Sequence, residues 1–182
     1  MTQPVPSDPT PGNPPSALAR WWGHAWLDAR SVQRRLPPEA LKRLEAAVRD
    51  SESRHRGELR LCIEGGLGPM WPGRPVSTRA RAIELFSLLR VWDTAQNNGV
   101  LIYLLLAEHR IEVLADRGLA DKVPPETWTA LADSLGDALR QGRWEAGLMQ
   151  AVDAVGDLLR THYPVLPGVA DVNELPDAIV LL

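Results

Sequence analysis

The chain has one cysteine, one phenylalanine, two tyrosines and four histidines among 182 residues. A single thiol excludes an internal disulfide and any zinc site built from several thiolates. That thiol, Cys62, sits between Leu61 and Ile63 in an apolar run, the setting of a buried thiol rather than a nucleophile. No apolar stretch approaches the roughly 20 residues that cross a bilayer. The N-terminus, Met1-Thr2-Gln3-Pro4, has neither the basic region nor the apolar core of a secretory signal. The expected location is therefore the cytoplasm. The sequence has no G-x-S-x-G, no H-E-x-x-H and no EF-hand loop. Gly65-Gly66-Leu67-Gly68 lacks the spacing and the Lys-Ser/Thr pair of a phosphate loop and reads as a flexible turn. Charge of one sign is also lacking: the net charge is −3, with a surplus of four positive charges over residues 17–60 and of six negative over 61–182. A surplus of that size is a solvated face, short of the basic patch that nucleic-acid binding requires.

What is present is a strongly patterned centre. Asn98-Gly99 predicts a turn into an apolar strand, Val100–Ala107, and Glu108-His109 breaks it. Arg110–Ala115 then alternates, with Ile111, Val113 and Ala115 on one face and Arg110, Glu112 and Leu114 on the other. The pair reads as a β-hairpin. Its first strand is apolar on both faces, so it belongs in the middle of a sheet covered on both sides. Glu58–Glu64 predicts an earlier strand, and a helix capped by Ser77, with stripe Leu85, Leu88, Leu89 and Trp92, connects the two. A strand–helix–strand crossover is right-handed and makes those strands parallel. The fold class is thus α/β: a small mixed sheet, with a parallel crossover pair and an antiparallel hairpin, under helices on both faces.

The flanks complete one domain. Residues 1–16, with six prolines, predict a disordered leader. Residues 17–164 form the domain. Helices are expected over Ala17–Leu36, from Pro38 toward Gly57, from Pro125 to Gln141, and over Trp144–Tyr163. Residues 165–182 form an extended tail, whose apolar end Ala178-Ile179-Val180-Leu181-Leu182 is expected to fold back along a sheet edge or into a groove between helices.

This topology gathers the starts of both parallel strands and the end of the hairpin at one end of the sheet. His55, Glu58, Asp93, Asn97, Asn98, Asp116, Arg117 and Asp121 fall there. Carboxylates from separate segments suit a hard cation, so Glu58, Asp93, Asp116 and Asp121 are the candidate ligands of Ca²⁺ or Mg²⁺. Arg117 suits a phosphate, His55 can carry a proton, and Asn97 and Asn98 offer carbonyls, which makes these, with Glu58, the candidate ligand-binding set. The same residues also suit a purely structural task, with Asp93 capping a turn and Asp116 pairing with Arg117 or Arg56. At the N-terminal end, Trp21, Trp22 and Trp26 among Arg20, Arg30, Arg34 and Arg35 suit either packing on the domain or peripheral contact with an anionic membrane.

The pattern resembles the TPM domain family, named for its thylakoid-lumen, photosystem-II-associated and nematode receptor-auxiliary members. The resemblance runs from about Leu36 to Pro164. It includes Glu52–Arg60, Ala82-Ile83-Glu84-Leu85-Phe86, Asn97-Asn98-Gly99-Val100-Leu101-Ile102, Asp116-Arg117-Gly118-Leu119 and Leu139–Leu148. The chain looks most like a short bacterial branch without the signal peptide and membrane helix of many relatives. The resemblance implies a non-catalytic binding or accessory module that acts with a membrane-associated assembly, with a LemA-type or other membrane protein as partner. It also implies an alternative, a metal-dependent hydrolase of phosphomonoesters like an acid phosphatase.

Overall fold

The computed structural model describes residues 29–67, 77–166, 168 and 173–182. The proline-rich leader, Trp21, Trp22, Trp26 and most of the Gly/Pro segment after Leu67 lie outside these residues. Among the described residues, six helices surround a mixed sheet: α1 (Ala29–Arg35), α2 (Pro38–Glu52), β1 (Glu58–Glu64), α3 (Thr78–Leu88), β2 (Gly99–Leu105), β3 (Arg110–Ala115), α4 (Arg117–Ala120), α5 (Pro125–Arg140), α6 (Trp144–His162) and β4 (Val180–Leu181).

Local chemistry sets the helix ends. Pro38 and Pro125 each open a helix, where the missing N–H costs nothing. Ser77 caps α3 by accepting from Ala80 N at 3.1 Å. Gly142, at φ 75°, closes α5, with Arg143 N donating to Ala138 O and Gly142 N to Leu139 O. This is the left-handed helix stop that glycine accepts most easily.

The strand order is β3-β2-β1-β4. β1 and β2 are parallel, Glu58 opposite Gly99 through Glu64 opposite Leu105. β3 returns antiparallel, with Val100 opposite Ala115. Both central strands are buried along their whole length. One face, through Leu59, Leu61, Ile63, Val100, Ile102 and Leu104, packs with α1, α2, α5 and α6. The other face, through Cys62, Leu101, Tyr103 and Leu105, packs with α3 and Leu175. The tail folds back at the free side of β1, where Val180 and Leu181 pair in parallel with Cys62 and Ile63.

Three local expectations are corrected. Val100–Ala107 is not one strand: β2 stops at Leu105, Leu106–Glu108 makes a 3-10 turn, and His109 is left-handed at φ 52°. Leu106 turns into the core instead of continuing the ladder. The α3 stripe is Ala82, Leu85, Phe86 and Leu89, because the helix ends at Leu88 and the turn after it swings Trp92 outward. Leu88 and Trp92 are 65% and 50% exposed. Finally, the turn expected at Asn98-Gly99 lies earlier, with Asn97 left-handed at φ 50°, and Gly99 is already the first residue of β2. Gly99 is needed because β2 starts against the Val91 carbonyl, where any Cβ would collide.

Candidate functional site

The register puts the start of β1, the start of β2 and the end of β3 at the same end of the sheet, and Asp116 N donates to Gly99 O at 2.8 Å. The eight residues read as a cation or ligand site lie at or near this end, and their side chains are held in several separate local contacts. Glu58, 4% exposed, accepts from the backbone N–H groups of Glu174 at 2.9 Å and Leu175 at 3.2 Å, which clamps the tail. Asp93 is exposed and pairs with Arg90 at 2.6 Å. Asn98 is buried and donates from Nδ2 to Arg56 O at 2.6 Å. Arg117 Nη2 donates to Asn97 Oδ1 at 3.2 Å, and Asp116 accepts from Arg117 N at 2.7 Å, capping α4. Asp121 is exposed at the end of α4. Among the described residues, no three His, Cys, Asp or Glu side chains are grouped so as to hold a metal ion. Two oxygens are nevertheless buried here without a hydrogen-bond partner, Asn98 Oδ1 and Asp116 Oδ2.

His55 is completely buried between α2 and α6. Its Nε2 lies 3.1 Å from Ser51 Oγ, and its Nδ1 lies 3.0 Å from Gly57 O. A Cβ at Gly156 would collide with Ser51 Oγ, so α6 seals this pair from solvent. Burial pushes the His55 pKa down to about 4, which keeps the ring neutral near pH 7. Cys62 is fully buried, and desolvation pushes its thiol up to about 12. It is a core residue, as its apolar neighbours in the sequence imply.

A family model for the TPM domain matches residues 33–158. The chain belongs to the TPM domain family. Among solved structures this TPM domain is similar to the BA42 protein of the psychrophilic bacterium Bizionia argentinensis, with a TM-score of 0.69 at 27% identity, over 80% of this chain and 94% of that one. It is also similar in fold to the N-terminal domain of a P. gingivalis protein, with a TM-score of 0.56 at 21% identity, over 72% of this chain and 82% of that one. No curated protein matches it in sequence. No helix among the described residues is long and apolar enough to cross a membrane.

The clamped tail, residues 173–182, lies beyond the segment that the family model matches. It brings Asp177 next to Arg49, with Nε to Oδ2 at 2.8 Å, and Asn173 Nδ2 donates to Asp177 Oδ1 at 2.6 Å. Burial alone would raise the Asp177 pKa, but these hydrogen bonds outweigh it and lower the pKa. Nearby, Glu52 accepts from Leu59 N at 3.0 Å through Oε1, and its other oxygen is buried beside the Asp177 carboxylate, to which the protonated acid can donate. Desolvation, reinforced by the Glu58 and Asp177 carboxylates, pushes Glu52 up to about 8.

These shifts give a pH dependence with a definite sign. Between the ordinary Glu value of 4.5 and about 8, folded Glu52 keeps a proton that the unfolded chain has released, so stability falls as pH rises through that window. His55 acts the opposite way between about 4 and 6.5, where the unfolded chain takes up a proton that the folded one refuses. The two oppose each other below 6.5, and Glu52 acts alone above it. Thermal melts are expected to show the midpoint falling from pH 6.5 to 8, and Glu52→Gln is expected to flatten that fall. An unchanged slope in Glu52→Gln would assign the dependence to another group.

Sequence reasoning gave no partner to Glu52 or Arg60, nor to the cluster of buried Glu64 and Tyr103 with half-buried Arg81. For two of them the signal was in β1, where Arg60 and Glu64, like Glu58, interrupt a strand whose even positions all face α3 and the tail. Polar side chains on a strand covered on both faces must find partners or face desolvation. Tyr103 Oη donates to Glu64 at 2.6 Å, and Arg81 holds the same carboxylate bidentately at 2.8 and 3.0 Å.

Proposed function

We propose that this TPM domain is a non-catalytic binding module that acts with a membrane-associated protein assembly, a LemA-type membrane protein being the partner class, and that holds Ca²⁺ or Mg²⁺ at the strand-start end. The observation that carries the choice of binding over catalysis is how the polar groups of that end are engaged. Glu58 clamps the tail, Asn98 ties β2 to the segment before β1, and Arg117 braces Asn97. The Ser51–His55 hydrogen bond, which has the composition of a nucleophile–base pair, is sealed under α6. For a protein partner, the support is family membership and the exposed apolar side chains Ile83, Leu88 and Trp92 on and after α3.

For the cation, the support is the oxygen-only donor set and the two orphaned oxygens, Asn98 Oδ1 and Asp116 Oδ2. Hard cations take such ligands and complete their shells with water. A site with so few protein ligands binds weakly, with Kd of roughly 10⁻⁵ to 10⁻³ M. Calorimetric titration with CaCl₂ and MgCl₂ is expected to detect this, and Asp116→Asn is expected to weaken it about tenfold. Binding that persists unchanged in Asp116→Asn would place the ion elsewhere.

The second reading is a metal-dependent phosphomonoesterase. It is favoured by the exposed Arg117 next to Asp116, a pairing suited to a phosphate on a cation. On this reading, hydrolysis of p-nitrophenyl phosphate is low, requires Mg²⁺ or Ca²⁺, and is lost in Asp116→Asn and Arg117→Ala. Vigorous turnover without metal would overturn the assignment to a non-catalytic module.

A further inference from the structure

At the opposite end of the sheet, a cavity of about 300 Å³ opens between the β2–β3 turn, α5 and the start of α6. Leu106 and Ile111 line it from the sheet side and Leu139 and Trp144 from the helices, so its interior is apolar. Its ionised lining is Arg110 and Arg140 against Asp133, and His109 adds ring nitrogens that can form hydrogen bonds. Arg140 already pairs with Asp137 at 2.7 Å, which leaves Arg110 and His109, both exposed, as the cationic and hydrogen-bonding groups of the opening. Arg35 lies over the Trp144 ring, 5.2 Å from its centre.

Gly136 supplies a second, independent observation. It lies in the interior of α5, where glycine weakens a helix relative to alanine. Gly147 and Gly156 of α6 have packing reasons, since a Cβ at either would collide with Ala138 or with Ser51. Gly136 has none: a Cβ there would meet only Arg140 Nη2 at 3.5 Å and Ile111 Cδ1 at 3.6 Å, ordinary contacts. Gly136 lines the cavity, so a side chain longer than that of alanine would enter it. His109, held left-handed at φ 52°, turns the chain at the same place.

We propose that this cavity binds a small anion with a flat apolar body, an aryl carboxylate or aryl phosphomonoester, whose ring rests against Trp144 and Leu106 and whose charged group meets Arg110 and His109. The site is at the far end of the sheet from the cation site and stands without it. An apolar pocket with a few convergent polar groups is the usual form of a small-molecule site, and a guanidinium beside an apolar wall selects for an anionic head on an apolar body.

The test is an amide chemical-shift titration of the full chain with 1-naphthoate, 1-naphthyl phosphate, neutral 1-naphthalenemethanol and acetate. Both anionic naphthyl probes are expected to move the signals of His109, Arg110, Gly136 and the Trp144 indole. The tighter of the two identifies the head group, carboxylate or phosphate. The neutral probe is expected to bind about tenfold more weakly, the loss of one charge-assisted contact, and acetate is expected to leave these signals still. Arg110→Gln is expected to bring the anionic probes down to the neutral one while leaving the neutral one unchanged. Gly136→Leu, which fills the cavity, is expected to abolish binding of all three naphthyl probes. If Gly136→Leu does not fold, Gly136→Ala, whose Cβ fits, is expected to weaken all three while keeping dispersed spectra. Shifts confined to other residues, equal affinity for charged and neutral probes, or indifference to Arg110→Gln would each overturn the proposal.

Discussion

Arg81→Met is expected to destabilise the domain by about 3–5 kcal/mol, the cost of leaving a buried carboxylate without its cation. Glu64 is 4% exposed and is held bidentately by Arg81 Nε and Nη2, with the Tyr103 hydroxyl as a further donor. Arg81 itself is largely covered, with 14% of its side chain exposed, so water screens little of the attraction. The guanidinium pKa is raised, chiefly by its hydrogen bond to Glu64, and the Tyr103 phenol is raised first by burial and then by the same carboxylate. Removing the cation leaves Glu64 with an uncompensated charge between β1 and α3. A small domain has a total stability of about 5–15 kcal/mol, so the loss is a large fraction of it. Urea denaturation checks this, and a second variant identifies the cause. Combining Arg81→Met with Glu64→Gln removes the charge that was left behind, and is expected to recover part of the loss. A double variant as unstable as the sum of the single ones would show that side-chain packing, not the ion pair, carries the effect.

The sheet was legible because its determinants are local and periodic. β2 reads as an apolar run, β3 alternates, and β1 carries an apolar centre between Glu58 and Glu64. The crossover rule then fixed their relative directions. Helix ends were legible where proline, serine or glycine sits at a cap, as at Pro38, Ser77, Pro125 and Gly142. The errors fell where a tertiary contact overrides the local pattern. Leu106 looks like one more strand residue, and only the core beneath it explains why the chain turns there. Leu88 and Trp92 continue a helical stripe on paper, but Leu88, the last residue of the helix, falls on its exposed side, and the helix has ended before Trp92. At the candidate site, the sequence located the end of the sheet but not the partners. Glu58 reads as a free carboxylate because the two N–H groups that hold it come from residues 174 and 175, more than a hundred positions away. No periodicity encodes such a contact. The cavity at the other end was illegible for the same reason: it is formed where Gly136 of α5 faces the β2–β3 turn, and a lone glycine in a helix does not announce what it faces.

Deleting residues 173–182 is expected to cost about 2–4 kcal/mol and to expose a reactive sheet edge. Leu175 is buried against the α3 face of the sheet, and Ile179 and Leu181 pack on the opposite core. Burying one leucine contributes about 1.5–3 kcal/mol, and the half-buried residues contribute less. Backbone bonds add to this: Leu182 N donates to Ile63 O at 3.0 Å, Gly65 N donates to Leu182 O at 2.9 Å, and Glu45 accepts from Ile179 N at 3.3 Å. Against these stands the conformational entropy lost on ordering the segment, which holds the expected net to a few kcal/mol. The Arg49–Asp177 pair adds little, because the arginine is 70% exposed. Leu175→Ala isolates the packing part and is expected to cost about 2–3 kcal/mol without opening the edge. The deletion differs in a second observable. β1 then loses its parallel neighbour, and its free N–H and C=O groups at Cys62 and Ile63 can pair with another chain. Sedimentation is expected to show concentration-dependent self-association for the deletion but not for Leu175→Ala. A deletion variant as stable and as monomeric as the full chain would mean that the tail does not dock on its own domain, and would leave residues 173–182 to be presented to a partner strand instead.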